Sequence, residues 1–250
     1  MISPAANDAM EMQAEPGFGD EEAAPAARFD MEELQRRVLA GLALATVYLL
    51  SVIAGGWWFS VLVLIAAVIM VREWDDLTAA LPRGWKYMGM AYVALPCASL
   101  LWLRSVHFVQ SGNAGLSLVI YITFVVWATD IGAYFAGRYF GGPKLAPSIS
   151  PKKTWAGLGG GLAAAIGIGV VCYTFSPYPA TFGGGLVISV LLSLVAQLGD
   201  LFESWLKRRA GVKDSGQLIP GHGGALDRLD GMLAAAPLFA LLVALSGKVA

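Results

Sequence analysis

The sequence predicts an all-α polytopic integral membrane protein of about seven transmembrane helices, with its active loops gathered on one face of the bilayer. Three observations carry that prediction. Of 250 residues, 57% are hydrophobic and 14% charged. Uncharged runs of spanning length recur along the chain, and lysine and arginine fall in every second connection. About twenty apolar residues cross a bilayer as a helix, which satisfies its own backbone hydrogen bonds there.

Residues 1–36 are expected to form an acidic, disordered cytoplasmic tail, and 37–250 a membrane-embedded domain. The first 37 residues hold nine acids and three bases, net −6, whereas the remainder is net +5. The tail is rich in Ala, Pro, Glu and Asp and has little apolar surface to bury, so a solubilising role is the plain reading. At Met31, MEELQRR opens what could be an interfacial helical turn. A mostly polar segment this long before the first apolar run argues against a cleavable signal peptide.

Residues 38–71 are free of charge for 34 positions, too long for one span and right for two. Gly55-Gly56-Trp57-Trp58 supplies the turn, with the tryptophans at the interface. After a polar segment at 72–86, apolar runs follow at 87–103, 115–129 (with a continuation toward 139), 155–175, 182–199 and 231–245. Pro96 could kink or divide the third run, which leaves the count of seven open by one or two. Gly157, Gly161, Ala165 and Gly169 repeat small residues every fourth position, a helix-packing stripe. Cys97 and Cys172 lie inside apolar runs and read as packing residues.

The basic connections set the orientation. Arg28, Arg36 and Arg37 precede span one; Arg72, Arg83 and Lys86 follow span two. Arg138, Lys144, Lys152 and Lys153 follow span four, and Lys207, Arg208, Arg209, Lys213 and Arg228 follow span six. The alternate connections hold only Arg104. By the positive-inside rule the N-terminus and every basic loop face the cytoplasm, and seven spans put the C-terminus outside.

Charge is costly in lipid, so the density of Lys, Arg and Asp in residues 204–230 marks a working surface at the membrane edge. Asp200 closes a long uncharged run, with Ser204 at i+4 and Lys207 and Arg208 at i+7 and i+8. On a continuing helix these make one column of carboxylate, hydroxyl and cations. For Lys207-Arg208-Arg209 alone, a helix end obeying the positive-inside rule is the simpler reading. Pro220-Gly221-His222-Gly223-Gly224 is a loop of little bulk whose N–H groups could converge on phosphate, although by itself a simple turn explains it. It has neither P-loop nor dinucleotide-fingerprint spacing. Lys213 and Asp214 precede it; Asp227, Arg228 and Asp230 follow, the two acids at i, i+3. Carboxylates among cations suit Mg²⁺ with a polyphosphate. Zinc is disfavoured, because the two histidines lie far apart and both cysteines sit in apolar runs. His107 is isolated and has no role.

The island resembles the signature of the phosphatidate cytidylyltransferase (CDP-diacylglycerol synthase) family. The matching elements are Ser204, Lys207-Arg208, Lys213-Asp214, Pro220 to Gly224, Asp227-Arg228 and Asp230. A second block resembles it too: Asp130-Ile-Gly-Ala-Tyr134, Gly137-Arg138, and Ser150-Pro151-Lys152-Lys153-Thr154. The similarity spans roughly residues 127–230. It implies that residues 37–250 are a cytidylyltransferase domain that converts CTP and phosphatidic acid to CDP-diacylglycerol and pyrophosphate with Mg²⁺, for phospholipid biosynthesis. Asp200 and Asp227 then correspond to metal-binding acids. Asp130, Lys153, Ser204, Lys207, Arg208, Lys213, Asp214, His222, Arg228 and Asp230 would be catalytic; Lys152, Lys153, Gly221, Gly223 and Gly224 would bind substrate. Whether a monovalent cation accompanies Mg²⁺, and whether the chain forms a homodimer, is left open. Membrane lipids are expected partners and nucleic acid is not; the expected location is a bacterial inner membrane, with the site facing the cytoplasm. Two positions depart from the family pattern: Ala156 stands where glutamate is usual, and Gly231 where serine is frequent.

Three other readings compete. A membrane transporter would use charged residues beside its spans, but it tends to place them at mid-membrane in repeated halves, and no repeat is visible. A CTP-dependent lipid kinase would transfer the γ-phosphate instead. An inactive relative would keep the motif without turnover, and Ala156 is the reason to weigh it.

Overall fold

A computed structural model describes residues 31–108, 112–175, 181–216 and 223–246. They form seven helices: α1 (Met31–Ala54), α2 (Gly56–Leu77), α3 (Gly84–Ser105), α4 (Gly115–Phe140), α5 (Trp155–Phe175), α6 (Phe182–Arg209) and α7 (Leu226–Leu245). Two short antiparallel hairpins interrupt them, β1 (His107–Phe108) with β2 (Gly112–Asn113), and β3 (Lys144–Ala146) with β4 (Ser150–Thr154). The expected spans correspond one to one with the helices. Five of these, α2, α4, α5, α6 and α7, are long and apolar enough to cross a membrane, and α1 adds a shorter apolar stretch, Val38–Ala54. Pro96 lies inside α3 without dividing it, and the fourth apolar run does continue, ending at Phe140.

The turn between α1 and α2 forms where two glycines were expected to make it. Gly55 and Gly56 both take positive φ, 62° and 54°, which L side chains adopt reluctantly. Arg104, at the end of α3, donates from Nε to the Val52 carbonyl at 2.8 Å. The arginine that stands alone among the outer connections in sequence therefore sits in the last turn of α3 and caps the C-terminus of α1, where a cation complements the helix dipole.

Helix α4 runs through the middle of the bundle. Leu118, Val119, Ile122 and Val125 are fully buried, and α4 packs against α3, α5, α6 and α7. Its closest neighbour is α5. A Cβ on Gly132 would meet the Gly160 carbonyl, and one on Gly161 would meet Thr129. The small-residue stripe is thus an interhelical seam: Gly157 lies against Gly137, Gly161 against Thr129, and Gly169 against Ser189 of α6. Hydroxyls stitch α4 to α6 at membrane depth, with Tyr121 Oη 2.7 Å from Ser189 Oγ and Thr129 Oγ1 3.0 Å from Ser193 Oγ. Bonds of this kind are worth about 0.6 kcal/mol each on average, so close backbone packing dominates.

Because successive helices alternate in direction, the C-terminal ends of α2, α4 and α6 meet the N-terminal ends of α3, α5 and α7. The β3–β4 hairpin closes that same end of the bundle.

Candidate active site

A cleft of about 570 Å³ opens at that end. Helix α4 contributes Asp130, Tyr134 and Arg138 in steps of four residues, one column on a helical face. The hairpin supplies Lys152 and Lys153, α6 supplies Gln197, Asp200 and Lys207, and α7 supplies Asp227, Arg228 and Asp230. Local sequence explains the hairpin. Thr154 closes β4 and accepts a hydrogen bond at Oγ1 from Gly157 N at 3.0 Å, which caps the start of α5 where the strand ends.

Asp200 lies 2.5 Å from Lys153 Nζ, and Ser204 Oγ donates to its other oxygen at a long 3.4 Å. The Lys153 ammonium is buried and makes this ion pair without an aligned hydrogen bond. Asp130, Asp200 and Asp230 are close enough for their charges to act on one another. Three mutually repelling carboxylates around one lysine make an environment that favours added positive charge.

Asp227 is held differently. Oδ1 accepts from Lys207 Nζ at 2.5 Å, and Oδ2 accepts from Ser215 N at 2.8 Å, Ser215 Oγ at 3.0 Å and Gly224 N at 2.9 Å. Lys207 also pairs with Glu203 Oε1 at 3.2 Å. Glu203 is 1% exposed and its Oε2 has no hydrogen-bond partner. Gly223 has φ 79°, and a Cβ there would stand 2.8 Å from Asp227 Oδ2, so both backbone and space call for glycine.

The residues singled out from sequence divide into three groups. Asp130, Lys152, Lys153, Asp200, Lys207, Asp227, Arg228 and Asp230 line the cleft together. Ser204 reaches it through Asp200, while Gly223 and Gly224 shape the Asp227 loop. Lys213 and Asp214 are exposed and outside the cleft lining. Arg208 donates to the Val212 carbonyl at 3.0 Å, fastening the chain after α6. Gly221 and His222 lie outside the described residues.

Sequence reasoning missed Glu203 and Glu73. The spacing of Glu203 and Lys207, i and i+4, was a usable signal for the first. Glu73 lies 142 residues from Ser215, whose hydroxyl is 3.3 Å from it, and no local pattern reveals that contact.

Among the described residues, no three His, Cys, Asp or Glu side chains form a ready-made metal cage. The cleft instead offers carboxylate oxygens on separate helices. That donor set fits Mg²⁺, which takes one or two carboxylates and completes its shell with water and phosphate; it does not fit zinc.

Residues 77–246 match the family described as "Cytidylyltransferase family", and the chain belongs to it. Among relatives the chain is similar to proteins named phosphatidate cytidylyltransferase. One from Brucella suis biovar 1 (strain 1330) is 45% identical over 179 residues, covering 72% of this chain and 62% of the relative. One from Haemophilus influenzae is 47% identical over 146 residues, 57% of this chain and 51% of the relative. One from Rickettsia bellii is 36% identical over 214 residues, 82% and 88% of the two chains. The chain thus spans 62% of the length of the Brucella relatives.

Proposed function

We propose that this protein transfers the cytidylyl group of CTP to phosphatidic acid, giving CDP-diacylglycerol and pyrophosphate for phospholipid biosynthesis. The observation that carries the proposal is the cleft itself, four aspartates and five basic side chains gathered at one end of a membrane-spanning bundle. The names of its relatives agree with it. Such a cleft suits a lipid phosphate from the bilayer and a nucleoside triphosphate from water.

A phosphomonoester is already ionised near neutral pH, so its oxygen needs little help from a general base. The task is to bring two polyanions together and offset charge on the departing pyrophosphate, which is positioning and electrostatics. Lys152, Arg138 and Arg228 hold phosphate oxygens; Lys153 and Lys207 fix the acids and offer their remaining donors. A phosphatidate oxygen attacks the α-phosphorus of CTP, forming the new P–O bond as the α–β bridge breaks and pyrophosphate leaves. Asp200 and Asp227 would hold Mg²⁺ through their carboxylates, of which that of Asp200 is the more open. When bound, the ion would supply further positive charge against the triphosphate.

The positive-inside rule supports a cytoplasmic position for this end of the bundle, and a bacterial inner membrane would suit a site where both substrates meet. Complementation tests the reading. The full chain should sustain growth of a bacterium depleted of its own phosphatidate cytidylyltransferase, and Asp200→Asn should not. Growth with the variant, or none with the parent despite correct membrane insertion, would contradict it.

A further inference from the structure

The first donors of α7 are not capped by their own sequence. Its N-cap residue, Ala225, has no side-chain acceptor. A carboxylate from the far side of the chain takes that place. Glu73 Oε1 accepts from Ala225 N at 2.8 Å, and Oε2 accepts from Leu226 N at 2.8 Å. Oε2 also lies 3.3 Å from Ser215 Oγ, the hydroxyl that stands 3.0 Å from Asp227 Oδ2. Glu73 itself is 7% exposed. Two glycines make room for it, since a Cβ on Gly216 or Gly224 would stand 2.8 or 2.6 Å from its oxygens. Its helix is fixed beside it: the Trp74 indole is buried, donates to the Trp85 carbonyl at 2.8 Å and fills the space above Gly89.

We propose that Glu73 is a positioning residue for the cleft, acting through Ser215 and the start of α7 on Asp227 and Lys207. Asp227 must accept from Ser215 and Gly224 in one rotamer, and Glu73 touches the first donor at its hydroxyl and the residue next to the second, Ala225, at its amide. Lys207 takes its place from Asp227. A second consequence follows from charge. A helix N-terminus is a natural anion site, and this one adjoins a cleft meant for phosphates. With Glu73 on the Ala225 and Leu226 amides, a substrate phosphate is steered to the side-chain cations. Residue 73 also lies before the family-matched segment, which begins at 77, so the site is clamped from outside it.

Hydrogen–deuterium exchange across residues 223–227, on the full chain in detergent, tests this in wild type, Glu73→Gln and Glu73→Asp. Cytidylyl transfer is measured on the same preparations, and only that arm rests on the functional reading above. Hydrogen bonds to a charged acceptor are strong enough that Glu73→Gln should speed exchange at Ala225 and Leu226 on the order of ten- to a hundredfold. It should lower kcat by about tenfold or more while KM for phosphatidate stays within about twofold, as expected when alignment of the reacting groups is lost and binding is not. Glu73→Asp keeps the charge one methylene short and should recover part of both. Ser215→Ala, which removes only the shared hydroxyl, should lower kcat with little change in exchange at Ala225.

Unchanged exchange in Glu73→Gln would overturn the contact. Fast exchange with normal kcat would overturn the positioning role, as would normal kcat in Ser215→Ala should Glu73→Gln fail to fold. A wild-type chain without transfer activity would sink the functional reading instead, and exchange alone would then decide the role of Glu73.

Discussion

Asparagine at Asp227 and asparagine at Asp200 should separate stability from chemistry. The Asp227 side chain is 10% exposed and Lys207 12%, and four protein donors converge on the carboxylate. An amide can keep one oxygen as acceptor, but its NH₂ must then face either Lys207 or the Ser215 and Gly224 donors. Breaking a buried pair from one side costs about 3–5 kcal/mol. Glu203 remains as a second counterion for Lys207, so about 3 kcal/mol is the better figure, or about 6–12 °C in Tm at roughly 2–4 °C per kcal/mol. Asp200 is 36% exposed, with one ion pair and one long hydrogen bond. The Asp200 end of the pair is open to water, so its loss costs about 1 kcal/mol although the Lys153 ammonium is buried, and the loss relieves repulsion with Asp130 and Asp230. Asp200→Asn should therefore move Tm by less than about 4 °C. Both variants should lose on the order of a hundredfold or more in cytidylyl transfer, as removal of a charge-stabilising group does. Thermal unfolding in detergent and initial rates on the same preparations give the comparison. Wild-type Tm in Asp227→Asn would refute the hydrogen-bond account, and near-normal rates in both would refute the role of these acids in catalysis.

Two further outcomes are expected. Deleting residues 1–27 should leave transfer activity within about twofold, since the tail carries too little apolar surface to pack; complete loss in a correctly inserted chain would contradict this. Lys144→Cys and Lys213→Cys, each in a chain without its native cysteines, should react with an impermeant thiol reagent only from the cytoplasmic face. Labelling from outside would invert the topology.

The helices were legible because lipid imposes one strong rule on sequence: an apolar run of spanning length. The glycine turn at 55–56, the continuation of α4 and the α5 stripe followed from equally local chemistry. The cleft was legible in large part, because Asp200, Lys207, Asp227 and Asp230 come from stretches close enough in sequence to be seen as one island. For Asp130 and Lys153 the positive-inside pattern gave only the same side of the membrane, and the resemblance tied them to the site. What stayed hidden was any contact set by tertiary packing. Glu73 read as one acid in a polar connection, and its partners Ala225 and Leu226 offer backbone amides, which leave no mark in sequence. Arg208 lies in the signature beside Lys207, yet one helical step of about 100° turns it from the cleft lining to the Val212 carbonyl.

The central claim is that this cleft passes the α-phosphorus of CTP to a lipid phosphate. The most direct test supplies the purified full chain, in lipid micelles with phosphatidic acid and Mg²⁺, with CTP labelled separately at the α- and γ-phosphates. The account predicts α-label in the lipid and γ-label in released pyrophosphate. Label from the γ-phosphate in the lipid, with none from α, would contradict it and make the protein a lipid kinase.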